Sequence, residues 1–200
     1  MQWRAIHAAA AAKVALASGD TARALDVAES GLRSTIGALG VPHDSVRDLW
    51  PDAMEAALAF GLLDRASALL ALVADRPVGH VPPYLRAHVA RFRARIAAAT
   101  DEHADVEEDF RTAERILTEL DYVYWLARVQ IDHAAWLIDR GRPAEATPLL
   151  IAAAATAERL GAHPAMAQIN RLRATAPVEV EVDLDRVRQQ LPEQATAERS

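Results

Sequence analysis

Apolar residues recur three and four positions apart along most of the chain, the period of a helix that buries one stripe of its surface. The pattern breaks at Ser18-Gly19-Asp20, Gly40-Val41-Pro42, Gly61, Pro77 to Pro83, Thr100-Asp101, Gly141-Arg142-Pro143 and Gly161-Ala162-His163-Pro164. The stretches between these breaks have the usual length of a globular helix. They predict helices over 2–18, 20–38, 44–60, 62–75, 83–99, 104–120, 122–139, 143–160 and 164–174. Asp20 is placed to cap the second of these, and Pro143 and Pro164 sit where a first helical turn tolerates proline. No strand-like alternation precedes Val178, so the chain reads as all-α.

The breaks are evenly spaced. Gly19 to Gly61 is 42 residues, Gly61 to Asp101 is 40, and Asp101 to Gly141 is 40. A period of that size describes stacked helical hairpins. Aligned on these four turns, the residues seven before them are Ala12, Met54, Ala94 and Ala134, and those five after are Ala24, Ala66, Val106 and Ala146. Nine after come Ala28, Leu70, Phe110 and Leu150; twelve after come Gly31, Val73, Ala113 and Ala153. Two antiparallel helices approach closely only where both present small side chains, and bulkier neighbours then fill the space between hairpins.

This arrangement resembles the tetratricopeptide repeat (TPR). The unit from Tyr124 to Leu160 matches best, through Ala134, Gly141, Ala146, Leu150 and Ala153; Trp50 and Phe110 fall at the family's aromatic positions in the second and third units. The period is longer than the family's about 34 residues. Met54 and Val73 are large where the family is small, Asp101 stands for Gly, and the terminal proline is missing. The resemblance covers residues 1–174 and implies a right-handed α-solenoid of about four antiparallel hairpins plus a capping helix at 164–174. Residues 175–200 read as an acidic linker and tail; Val178-Glu179-Val180-Glu181-Val182-Asp183 alternates strictly, which fits an extended linker or, as the alternative, a short edge strand.

A second resemblance lies in the runs Tyr124-Trp125-Leu126-Ala127-Arg128, Gly141-Arg142-Pro143-Ala144-Glu145-Ala146 and Ala157-Glu158-Arg159-Leu160-Gly161-Ala162. These look like the C-terminal helical arrays of bacterial ATPase-linked transcriptional regulators and of adenylate or guanylate cyclases. The resemblance implies a non-catalytic, cytoplasmic regulatory scaffold. Its partner would be a protein, a peptide or a neighbouring NTPase or cyclase domain. The alternative it implies is a solenoid that senses a small-molecule effector. It does not bring the ATPase with it, since the one lysine, Lys13, lies in no phosphate-binding loop.

Composition narrows the field further. The chain has 28 acidic and 22 basic residues, a net charge of −6, which disfavours general nucleic-acid binding. The absence of cysteine excludes disulfides, thiolate metal sites and thiol catalysis. There are 45 alanines and only ten aromatic residues, so helices must pack closely and each large ring fills a critical gap. His7 and Lys13 interrupt the apolar run after Trp3, so 2–18 reads as an amphipathic helix, not a secretion signal. Nothing reaches the length and apolarity of a membrane span. An alanine-rich first helix would expose a solenoid end, which a parent chain or a homodimer contact would cover.

No catalytic, metal or cofactor constellation emerges. His103 falls among Asp101, Glu102, Asp105, Glu107, Glu108 and Asp109, but carboxylates in a first helical turn are explained by the helix dipole. His133 lies among apolar residues and reads as a packed histidine, and no Gly-x-Ser-x-Gly elbow is present. Trp50, Trp125 and Trp136 read as core filling; Tyr122 and Tyr124, at a helix start, are candidate contact residues. His88, Arg91 and Arg95 recur at i, i+3 and i+7 on the first helix of the third unit, and Arg128 takes a neighbouring groove offset in the fourth. These four are the candidate partner-binding residues, suited to a carboxylate of a partner peptide. The competing reading pairs this basic face with the acidic helix at 104–120.

Overall fold

The computed structural model describes residues 21–100 and 105–175. Over these the chain forms eight α-helices: α1 (Thr21–Leu39), α2 (Asp44–Ala59), α3 (Leu63–Ala74), α4 (Pro83–Thr100), α5 (Val106–Glu119), α6 (Val123–Asp139), α7 (Pro143–Leu160) and α8 (His163–Thr175). A short 3-10 turn, Val78–His80, interrupts the connection from α3 to α4, and no strand occurs among the described residues. These eight helices lie within two residues of the expected bounds. The expected helix at 2–18, His103 and the alternating segment at 178–183 lie outside the described residues.

Each helix packs on the next, most extensively α4 on α5 and α6 on α7. The even-numbered helices also touch in series, α2 to α4 to α6 to α8. The closest seams are lined by alanine. Ala127 and Ala134 of α6 and Ala146, Ala153 and Ala157 of α7 are all buried, which lets the two backbones approach. Where the helices stand further apart a large ring intervenes. Trp50 of α2 is fully buried, its indole N–H donates to the Leu69 carbonyl of α3 at 2.8 Å, and its ring meets Phe92 of α4 edge-on at 5.6 Å. One side chain thus ties three helices and leaves no unsatisfied polar atom.

The turns repeat one solution. Gly61, Asp121, Gly141 and Gly161 are all left-handed, and the next residue's N–H reaches back to the carbonyl five residues earlier: Leu62 to Ala57 at 2.9 Å, Tyr122 to Leu117 at 3.0 Å, Arg142 to Leu137 at 2.8 Å and Ala162 to Ala157 at 2.8 Å. This closes the orphan carbonyls of a helix end. Glycine takes the positive φ without strain; Asp121 takes it, at φ 56°, against its Cβ. No helix among the described residues is long and apolar enough to cross a membrane.

Candidate functional site

The face of α4 that meets α2 and α6 carries His88, Arg91 and Arg95. Arg91 is fully buried. Its Nη2 donates to Glu55 Oε1 of α2 at 2.6 Å and its Nε to Asp132 Oδ2 of α6 at 2.7 Å. Arg95, one turn on, donates from Nη1 to Glu55 Oε2 at 2.7 Å, with its Nε 3.6 Å from Asp132. Arg128 of α6 reaches across to Glu55 Oε1 at 3.1 Å and towards Gln168 Oε1 of α8 at 3.5 Å. Glu55 is therefore the hub of a cluster to which all four even-numbered helices contribute, and it joins residues 73 apart in the chain.

Charge balance explains why such a cluster tolerates burial. Burial alone would push the Glu55 carboxyl up, but the guanidiniums of Arg91, Arg95 and Arg128 outweigh it and hold the group far below the usual carboxylate range. Burial likewise disfavours the charge on Arg91, and Asp132 and Glu55 overcome that penalty, so its affinity for its proton is raised. The guanidiniums of Arg91 and Arg95 also lie over the Phe92 ring, 5.1 and 5.9 Å from its centre.

Beside the cluster an open groove of about 660 Å³ runs between α4, α6 and α8. Ala98, Ala99 and Ala135 give it a small apolar lining, together with Phe110 and Trp136. Arg95, Asp132 and Gln168 stand at the cluster end; Asp139 and Arg140 also line it. The indole Nε1 of Trp136 is buried without an acceptor, although the residue as a whole is only partly covered.

His88, three residues before Arg91, lies in a different setting. It is fully buried, with neither ring nitrogen hydrogen-bonded. Tyr84 and Trp125 meet it edge-on, each at 4.6 Å, and Phe92 stacks at 5.6 Å. Burial, reinforced by the Arg91 charge and only weakly opposed by Glu55, pushes its pKa down to about 3. It is a neutral imidazole acting as an aromatic ring. Tyr122 and Tyr124 extend this aromatic group to the surface, where each is about two-fifths exposed (41% and 42%).

Of the four residues singled out from sequence, then, His88 and Arg91 are sealed from solvent while Arg95 and Arg128 reach it. The counter-charges come from Glu55 on α2 and Asp132 on α6. The acidic helix α5 serves other partners: Asp109 takes Arg93, Glu107 takes Arg111 and Arg142, and Glu114 lies 2.8 Å from His133 Nδ1. His133 is buried and stacked on Phe110, and Trp50 is core. Glu55, Asp132, Gln168 and Trp136 were not visible as site residues. One signal pointed to Glu55: it stands six residues before Gly61, as Arg95 stands six before Asp101, so opposite charges occupy one repeat position on adjacent units. Among the described residues no group of three His, Asp or Glu side chains is placed to hold a metal ion. No family model matches the chain, and no curated protein matches it either.

Proposed function

We propose that the chain is a TPR-like α-solenoid that serves as a non-catalytic interaction or regulatory scaffold, binding a protein or peptide segment along the face formed by α2, α4, α6 and α8. The reading places residues 1–174 in the repeat array and 175–200 in a linker. It fits a cytoplasmic arm of a bacterial multidomain regulator, whose own NTPase or cyclase domain would be one such partner. The observation that carries it is the groove between α4, α6 and α8. An alanine lining leaves room for a peptide backbone, and Arg95, Asp132 and Gln168 offer donors and acceptors beside it. The serial contact of the even-numbered helices, set against alanine-lined hairpins, supports the repeat reading.

The test is selection of short random peptides on the full chain, followed by affinity measurement against an Ala135→Trp variant whose circular dichroism and melting match the parent. Filling the groove is expected to weaken groove-bound peptides roughly tenfold or more. Peptides that bind both proteins equally, or no enrichment over a control surface, would overturn the reading.

A further inference from the structure

We infer that the solvent-facing rim of the Glu55 cluster, Arg95 with Arg128, is an oxyanion site that takes a carboxylate or phosphate group of a ligand. The inference rests on the reading of the even-numbered helices as the binding face and names the chemistry recognised there.

Charge is the first ground. Among the described residues, the three guanidiniums of Arg91, Arg95 and Arg128 meet only two carboxylates, Glu55 and Asp132. One positive charge is left over, on arginines only about a fifth exposed (22% and 21%), where water compensates it only in part. A bound oxyanion removes that imbalance.

Unused donors are the second. A guanidinium offers five N–H groups in a planar fork, and this cluster leaves several without good acceptors. Arg91 Nη1 is buried with no partner at all. Arg95 Nε stands 3.6 Å from Asp132, beyond hydrogen-bonding reach, and Arg128 Nη1 has only the Gln168 amide oxygen at 3.5 Å. Arg91 Nη1 is sealed, so the two rim arginines are where a ligand can supply acceptors.

The third is that the site already holds an oxyanion of its own. Glu55 receives one N–H from each of three arginines, at 2.6, 2.7 and 3.1 Å, so these side chains are arranged for a planar, doubly charged-assisted acceptor. A ligand carboxylate or phosphate entering from the groove meets Arg95, which lines it, and beside Gln168 reaches Arg128, sharing both with Glu55. Glu55 is then an internal competitor that sets the affinity. Asp132 lines the same groove, 3.6 Å from Arg95 Nε, and with Asp139 repels an incoming anion, which favours approach on the side of Arg128 and Gln168.

The experiment titrates the full chain with inorganic phosphate and, separately, with malonate, at ionic strength held constant with chloride, and reads binding by calorimetry and by melting temperature. Saturable binding of either anion is expected, and the preferred one tells a phosphate ligand from a carboxylate. Arg128→Gln and Arg95→Gln are each expected to weaken it roughly tenfold or more. Glu55→Gln is expected to tighten it about fivefold by removing the competitor; Arg128→Gln, on the rim, keeps the test decisive if that variant does not fold. No saturable effect beyond chloride, or equal binding in both arginine variants, would overturn the inference. Groove-dependent peptides with no anion binding would sink the oxyanion site alone, whereas anion binding with no groove-dependent peptide would sink the scaffold reading alone.

Discussion

Two buried polar residues stand one turn apart on α4 and solve burial in opposite ways. Arg91 keeps its charge because α2 and α6 each deliver a carboxylate within 2.7 Å. His88 gives its charge up, because what surrounds it is Tyr84, Phe92 and Trp125. Both side chains are fully covered, so burial as such does not decide the protonation state. The neighbouring helices decide it, by presenting counter-charges in one case and rings in the other. A run of His, Arg and Arg at helical spacing is therefore not one basic patch but a neutral core residue followed by an ionic cluster.

The contrast is broken most strongly from the acidic side. Glu55→Ala leaves three guanidiniums against Asp132 alone and is expected to cost about 3–5 kcal/mol in urea unfolding. Arg91→Met, which leaves two cations facing two carboxylates, is expected to cost less, about 1–3 kcal/mol. The reverse order would show that the hydrogen bonds of Arg91, not charge balance, hold the cluster. On the other side of the contrast, His88→Leu removes two unsatisfied ring nitrogens and is expected to be near neutral at pH 7.

Its effect lies in the pH dependence. His88 has a folded pKa of about 3, below its ordinary value, so the unfolded chain takes up its proton first as the medium is acidified. Its contribution is complete above about pH 6.5 and is lost as pH falls towards 3, which amounts to about 2 kcal/mol between pH 7 and pH 5. His88→Leu should abolish that part of the slope; an unchanged slope would place the titration elsewhere. Glu55 contributes to acid sensitivity only at lower pH: its stabilisation is full above the ordinary carboxylate pKa and lost on further acidification.

The smallest expected effect is at a turn. Asp121 occupies a position that glycine fills at Gly61, Gly141 and Gly161. Asp121→Gly should raise stability by about 0.5–1 kcal/mol, read as an increase in melting temperature. A loss instead would mean that the Asp121 side chain supports the turn by a contact of its own.

Helix positions were legible because their causes are local. Gly61, Gly141 and Gly161 announce their turns by residue type, and Pro143 announces a helix start. Asp121 carries no such mark, and the pattern shows its turn only as a break between 120 and 122. The aromatic role of Trp50 was legible too, since a chain so rich in alanine has few other ways to fill space. The ionic cluster was half legible. Arg91, Arg95 and Arg128 are marked by their offsets, but Glu55, Asp132 and Gln168 are not, because each partner sits some 36 to 73 residues away on another helix.

By itself, then, the order of residues determined that the described residues are helical, the length of each of their helices and the place where most turns fall. Those outcomes depend on backbone hydrogen bonds and side-chain patterns within a few positions, which the sequence carries explicitly. Only the tertiary structure decided that Arg91 is buried charged and His88 buried neutral, and that the acceptor uniting α2, α4 and α6 is Glu55. The free energy of a charge is set by what lies within a few ångströms in space, and proximity between helices exists only once they have packed.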